Sequence, residues 1–447
     1  MNPNLDDPDN REAGARSAGA WSIAQRVASI GSKWITVPLA LNGLGRDRYG
    51  AWLVIVSMLA WLAWSDLGIP AAITNPYAHH LHRGEAVAAK RLLGAGFAFL
   101  AVIGLAIAAV LLPYLYFVGG AGLIGVPDVG IRREVDRTLL IVVAVSLATL
   151  PLRLLDAIAL AEQKIRWLAV VDTVGAIATL ACVIVWRQLG AGLEALAVAT
   201  LVPGVVSRVV LWAILGTRES ATSSPQLRGL AAQDLRAIVK RGGAFTIGTV
   251  AEVVITQAPV FFVGRLCGLG AVPAFTIPFQ LFSTAMQGIV AMLWPYWGVY
   301  AEARTRDRWA WLWSMHKRTA TRAMLLAVSG FAAVALCAPT IITLWVGRQY
   351  APDTRFLVYL WCLFVVWTWC HVWNVLVTGL DLIATRTVGL VALAIAVLIL
   401  GPVQIRTLGV TGAALGVMCS LLLTQAWLLP TAAVREYRTA LLRSQIG

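Results

Sequence analysis

Long apolar runs alternate with short polar stretches along the whole chain. A membrane crossing needs about 20 apolar residues at about 1.5 Å per residue, so the runs predict helical spans near 18–42, 50–75, 92–116, 138–160, 167–186 and 193–214. A second set follows near 243–264, 275–299, 323–346, 356–380, 387–405 and 408–430. The expected fold class is therefore an all-α integral membrane protein of about twelve transmembrane helices in two six-helix lobes, 18–214 and 243–430. A tail of 1–17, a linker of 215–242 and a tail of 431–447 complete the chain.

The two sets are linked by a repeat at 219 residues. Arg187-Gln188-Leu189-Gly190 followed by Ala195-Leu196 returns as Arg406-Thr407-Leu408-Gly409 followed by Ala414-Leu415. Pro76-Tyr77 returns as Pro295-Tyr296, and Glu162 and Asp381 share the same register. An even number of spans per repeat leaves the lobes parallel about an axis along the membrane normal, an architecture that lets a transporter open alternately to the two sides.

Composition agrees with the spans. The chain is 59% hydrophobic and 13% charged with mean hydropathy +0.77, a balance no hydrated soluble surface accommodates, so the bilayer is its solvent. The net charge of +14 is explained by topology rather than by nucleic acid, because no nucleic-acid-binding pattern accompanies it. Of the 36 Lys and Arg, 22 fall on the side that carries both termini and 10 on the other. The excess marks the first side as cytoplasmic. The first twenty residues are polar and acidic, unlike a cleaved signal, so the first apolar segment is expected to stay. The six Cys show no C-x-x-C spacing and read as small hydrophobes. Residues 301–322 mix Arg304, Arg306, Arg308, Lys317 and Arg318 with Trp309, Trp311 and Trp313, as an interfacial segment at lipid headgroups does.

Candidate chemistry lies inside the spans. An ionisable residue there costs roughly 2.5–3.5 kcal/mol on insertion scales and asks for a partner or a wet cavity. Arg26, Lys33, Asp66, Arg153, Asp156, Asp172, Arg208 and Glu252 qualify, and all but Glu252 fall in the first lobe. Arg26 and Lys33, two turns apart, project from one face with no acid on their own helix. Arg26, Lys33, Arg153 and Arg208 suit a phosphate or pyrophosphate if they face one cavity. The alternative is mutual neutralisation, Arg153 pairing with Asp156 on one helix and Arg208 with Asp172 or the interface. Glu252, with Asp66, Asp156 and Asp172, is a candidate for ion coupling or charge pairing, and Glu252 for a static pair across the lobe interface. His79, His80 and His82 read as a solvated loop after the second span rather than as a metal site. No nucleophile triad, Gly-rich phosphate loop or carboxylate pair is present, and no extramembrane segment exceeds about thirty residues. The expectation is a protein that is not an enzyme, uses no cofactor or metal, and draws at most on a proton or sodium gradient.

Leu44-Gly45-Arg46-Asp47-Arg48-Tyr49-Gly50-Ala51-Trp52, then Ser65-Asp66-Leu67-Gly68-Ile69, Thr74-Asn75, Arg83-Gly84-Glu85 and Lys90-Arg91, resemble the polysaccharide transporter branch of the multidrug/oligosaccharidyl-lipid/polysaccharide (MOP) exporter superfamily, which includes O-antigen flippases. The second half echoes the entry pattern at Leu269-Gly270-Ala271-Val272-Pro273-Ala274-Phe275, offset by 225. The resemblance spans about 18–430 and implies a V-shaped pair of lobes in a bacterial inner membrane. It also implies movement of a polyprenyl-pyrophosphate-linked oligosaccharide to the periplasmic leaflet through a cationic cavity, with other glycan-assembly membrane proteins as possible partners. The drug-exporter branch typically has an acid in span 1, where this chain has Arg26 and Lys33. A small-molecule exporter is the first alternative and a glycan polymerase or ligase the second; lipid II flippases usually have additional spans, absent beyond residue 430.

The charge asymmetry predicts that reporter fusions after Arg241 and Arg318 are cytoplasmic and those at Asp128 and Arg348 periplasmic. Cytoplasmic activity at Asp128 overturns the span assignment.

Overall fold

The computed structural model describes residues 8–126, 128–216 and 232–446. Residues 1–7 of the expected tail and 217–231 of the expected linker lie outside them. The described residues hold no strand. In chain order the helices are α1 (Pro8–Leu44), α2 (Arg46–Leu62), α3 (Ile69–His82), α4 (Ala86–Phe117), α5 (Ala121–Ile124), α6 (Val129–Ala148), α7 (Leu154–Ala161), α8 (Ile165–Leu189) and α9 (Leu193–Gly216). There follow α10 (Ala232–Cys267), α11 (Val272–Leu293), α12 (Tyr296–Thr305), α13 (Trp309–Val346), α14 (Thr354–Gly379), α15 (Ile383–Leu408), α16 (Val410–Leu423) and α17 (Gln425–Ile446). Among the described residues nine helical segments are long and apolar enough to cross a membrane, and the pair α6–α7, bent by 53°, makes a tenth. Helix α1 and the broken pair α2–α3 lie where the first two expected spans fall.

The breaks have local causes. Pro151 follows α6 closely, and because proline has no N–H and excludes the preceding residue from helical geometry, the chain passes through a tight 3₁₀ turn, Leu150–Arg153, before α7 starts. Between α2 and α3 a second 3₁₀ turn, Ala63–Asp66, leads into Leu67 and Gly68, both left-handed at φ 49° and 65°. Pro70 then sits in the first turn of α3, where its missing N–H costs nothing.

The chain divides into two compact units, Met1–Arg48 with Leu59–Thr246, and Tyr49–Met58 with Ile247–Gly447. In the first unit α1 packs on α8, α8 on α9, α4 on α3 and α6, α3 on α7, and α6 on α9. Its core is aliphatic, built on Ile69, Ile73, Leu93, Leu100, Leu154, Leu155 and Ile158 around the buried ring of Tyr77. In the second unit α14 is surrounded by α11, α12, α13, α15, α16 and α17. Its core adds a cluster of rings to the aliphatic side chains: half-buried Phe279 lies 5.3 Å from both Phe275 and Phe364, and Phe364 lies 5.5 Å from Phe282 and Phe331.

The second unit also takes Tyr49–Met58, which the sequence assigns to the first lobe. Gly50 permits this, because a Cβ there would fall on the carbonyl of Leu269. Tyr49, Trp52, Val54 and Ile55 are buried around that contact.

The internal repeat is carried by backbone turns, with one correction. Gly190 and Gly409 both have φ 62° at the ends of α8 and α15, in the expected register of 219. The turn closing α3 bonds Arg83, Gly84 and Glu85 back to His79, Leu81 and His80, and the same turn closes α12 at Arg306, Asp307 and Arg308, 223 residues on. That offset equates buried Tyr77 with buried Tyr300 rather than with Tyr296. Gln163 and Asp381, both left-handed at φ 56° and 57°, are likewise equivalent, so Asp381 does not match Glu162. The expected 219 register fails here because equivalent segments differ in length, α13 being six residues longer than α4 and α15 one longer than α8, which shifts equivalent turns by a few residues.

Gly50→Ala is expected to cost about 1–3 kcal/mol through overpacking against Leu269, read as a lower melting temperature in detergent. Gly204→Ala in α9, where a methyl would meet nothing within 4 Å, is expected to leave stability unchanged or raise it by up to about 1 kcal/mol. Equal melting temperatures for Gly50→Ala and the parent would remove the close approach as the reason for glycine.

Candidate functional site

The helix breaks of the first unit bring five of the eight sequence candidates into two ionic groups. Asp66 ends the 3₁₀ turn after α2, where its Oδ1 accepts the Gly68 N–H at 2.9 Å. Arg153 ends the turn before α7 and donates to Asp66 Oδ2 at 3.2 Å. Beside them, the packing of α8 on α9 sets Asp172 against Arg208, which donates to Asp172 Oδ1 at 2.9 Å and also lies 3.2 Å from Asp156 Oδ1 on α7. The same-helix pairing of Arg153 with Asp156 does not occur. The 3₁₀ turn and the bend that follows it send the two side chains to different neighbours. The five residues carry three carboxylates against two guanidiniums, and their side chains remain partly exposed.

Arg26 and Lys33 are not brought into either group. Both are exposed on α1, and among the described residues neither makes an ion pair. Four cations therefore do not converge in one cluster: two are neutralised by aspartates and two stand apart on α1.

In the second unit Glu252 on α10 meets Arg386 on α15 at 3.4 Å. This corrects the expected pairing across the lobe interface, since the partner belongs to the same unit. Arg386 escaped the sequence reading because it sits just outside the run expected to span at 387–405, yet α15 begins at Ile383 and places it one turn inside the helix. His371 and Asn374 on α14 and Gln425 at the start of α17 add polar groups to this unit. His371 Nε2, Asn374 Oδ1, Arg386 Nε and Gln425 Nε2 are buried without a hydrogen-bond partner.

Two further ionic groups close helix ends. The buried Glu162 carboxylate accepts from Tyr77 Oη at 2.7 Å and from Lys164 Nζ at 2.5 Å. Arg304 lies 3.6 Å from Asp381. The three histidines expected in a loop form the last turn of α3 instead, where His80 Nδ1 shares a 2.6 Å hydrogen bond with Glu85. That hydrogen bond, more than the nearby Arg83 and His79, holds the Glu85 carboxyl below its ordinary value. Among the described residues no group of three or more His, Cys, Asp or Glu is placed to hold a metal ion.

Because Arg208 serves two aspartates, Arg208→Met is expected to cost about 1–3 kcal/mol, discounted from the fully buried case for the partial exposure of all three side chains. Adding Asp172→Asn should recover part of the loss. A double-mutant cycle on detergent melting temperatures reads the coupling, and strict additivity would mean the contact contributes nothing.

No curated protein matches the chain. Among solved structures it is similar to an inward-facing multidrug resistance MATE family transporter of the MOP superfamily, with TM-score 0.76 and 14% identity over 94% of each chain. It is also similar to a MOP superfamily transporter from Pyrococcus furiosus described by a binding pocket of reverse polarity (TM-score 0.65, 14% identity, 96% of each chain). An outward-facing MATE family transporter matches with TM-score 0.64 and 15% identity over 96% of each chain. At these identities the likeness establishes the fold: an all-α, two-repeat membrane bundle of the MOP type. Residues 96–354, more than half the chain, match the family model described as polysaccharide biosynthesis protein, and the chain belongs to that family.

Proposed function

We propose that the protein is a flippase that moves a polyprenyl-pyrophosphate-linked oligosaccharide from the cytoplasmic to the periplasmic leaflet of a bacterial inner membrane, both termini lying in the cytoplasm. The observation that carries this reading is the pair Arg26 and Lys33. Both lie on the helix occupying the first expected span, exposed and without an ion pair among the described residues. Such charges need a wet or anionic partner to offset their transfer cost, and a pyrophosphate that arrives with the substrate supplies one transiently. Arg153 and Arg208 have a different role in this reading: held by aspartates, they shape and balance the first unit and touch substrate only if a pair opens. Membership of a polysaccharide biosynthesis family supports a glycan cargo over a cationic drug, which two unpaired cations would repel.

For coupling, the fixed guanidinium of Arg386 beside Glu252 already supplies the counter-charge that a proton or sodium ion would bring, which favours a structural pair. The two ionic groups of the first unit, with three carboxylates to two arginines, are the better place for a proton to add, at Asp156, while Arg208 keeps Asp172.

Deleting the gene should leave intact lipid-linked oligosaccharide on the cytoplasmic face; unpolymerised units in the periplasm would instead indicate an enzyme of assembly. In the complemented strain Arg26→Ala and Lys33→Ala should each slow export about tenfold, the size of one charge-assisted contact, with membrane levels unchanged. Lys33→Arg should retain most activity. Normal export by both alanine variants would remove these side chains from the substrate path. In the same assay Glu252→Gln should keep its dependence on the ion gradient and Asp156→Asn should lose it.

A further inference from the structure

Helix α13 has two faces of opposite character. Trp309, Leu312, His316, Thr319, Ala323, Ala327 and Phe331 are buried. On the other side Trp311, Arg318 and Arg322 are exposed, at spacings of seven and four residues that keep them on one stripe. Lys317 is exposed next to them. The same stripe continues through Leu325 and Leu336, the latter 82% exposed.

Length fixes where this stripe changes character. With 38 residues α13 is about 57 Å long, whereas the hydrocarbon takes about 20 residues. The continuous apolar part runs from Ala323 to the end of the helix, so Trp309–Arg322 projects into the headgroup layer with Arg322 at the boundary. Of the acids in the preceding segment, Glu302 holds Arg306 at 2.9 Å and Asp381 holds Arg304 at 3.6 Å, while Asp307 accepts the neutral Trp309 indole at 3.3 Å and keeps its charge. Lys317, Arg318 and Arg322 have no ion pair among the described residues.

We propose that this face is a binding site for one anionic phospholipid, its phosphate held by Arg318 and Arg322 with Lys317 alongside, its glycerol edge against Trp311, and its acyl chains along Leu325 and Leu336. The two guanidiniums offer bidentate contacts to phosphate. Three cations on one face against one uncompensated carboxylate, Asp307 before the helix, favour a headgroup of net negative charge over a zwitterionic one, whose ammonium they repel. The exposed apolar stripe directly beneath requires that the anion carry chains, which favours a lipid over a soluble phosphate.

Native mass spectrometry of the purified, delipidated protein with added phosphatidylglycerol or phosphatidylethanolamine tests the site. The parent should retain phosphatidylglycerol preferentially, and Arg318→Gln with Arg322→Gln should cut that retention about thirtyfold, from about 1 kcal/mol for each of the two basic residues at a lipid surface. Arg318→Lys with Arg322→Lys should keep most of it. Arg132→Gln with Arg133→Gln, exposed cations on α6, removes the same net charge and should leave retention unchanged. Undiminished retention in the α13 glutamine variant, equal loss in the α6 variant, or no preference between the two lipids would each overturn the site. Displacement of phosphatidylglycerol by a polyprenyl pyrophosphate alone would also overturn it and assign the face to the glycan lipid.

Discussion

A charge taken out of water must be compensated where it lands, because no solvent in a hydrocarbon layer can screen it. In the first unit this requirement and the backbone breaks are one device. Asp66 and Arg153 each stand at the end of a 3₁₀ turn, with Pro70 opening the helix after the first turn and Pro151 lying inside the second, and they pair with each other. Arg208 answers Asp156 and Asp172 together. Removing Arg208 takes the cation from both Asp156 and Asp172 at once, so the packing of α7, α8 and α9 involves this ionic group as well as the aliphatic core.

The second unit repeats the backbone plan with different chemistry. Two helix-end turns recur with the same hydrogen bonds and left-handed positions, Gly84 with Asp307 and Gln163 with Asp381, while the side chains around them have diverged. Its core contains a ring cluster around Phe279 and Phe364, and Glu252 with Arg386 is a pair of opposite charges on α10 and α15.

Much of the architecture was legible in the sequence because transfer of apolar surface and of charge into a bilayer is large, local and insensitive to neighbours. Twelve apolar runs, the repeat across Gly190 and Gly409, and the ionisable residues inside spans all follow from single-residue costs summed over short windows. The choice of partner did not follow. Whether Arg153 meets Asp156 three residues away or Asp66 eighty-seven residues away depends on a proline-induced bend and on which helices touch. The placement of Tyr49–Met58 in the second unit depends on one glycine meeting one carbonyl. The importance of Arg386 depends on where a helix starts to within a single turn. The energies that set spans are properties of each residue and its solvent, so sequence determines them; ion-pair identity is a property of distances between segments far apart in the chain, and only tertiary packing sets those.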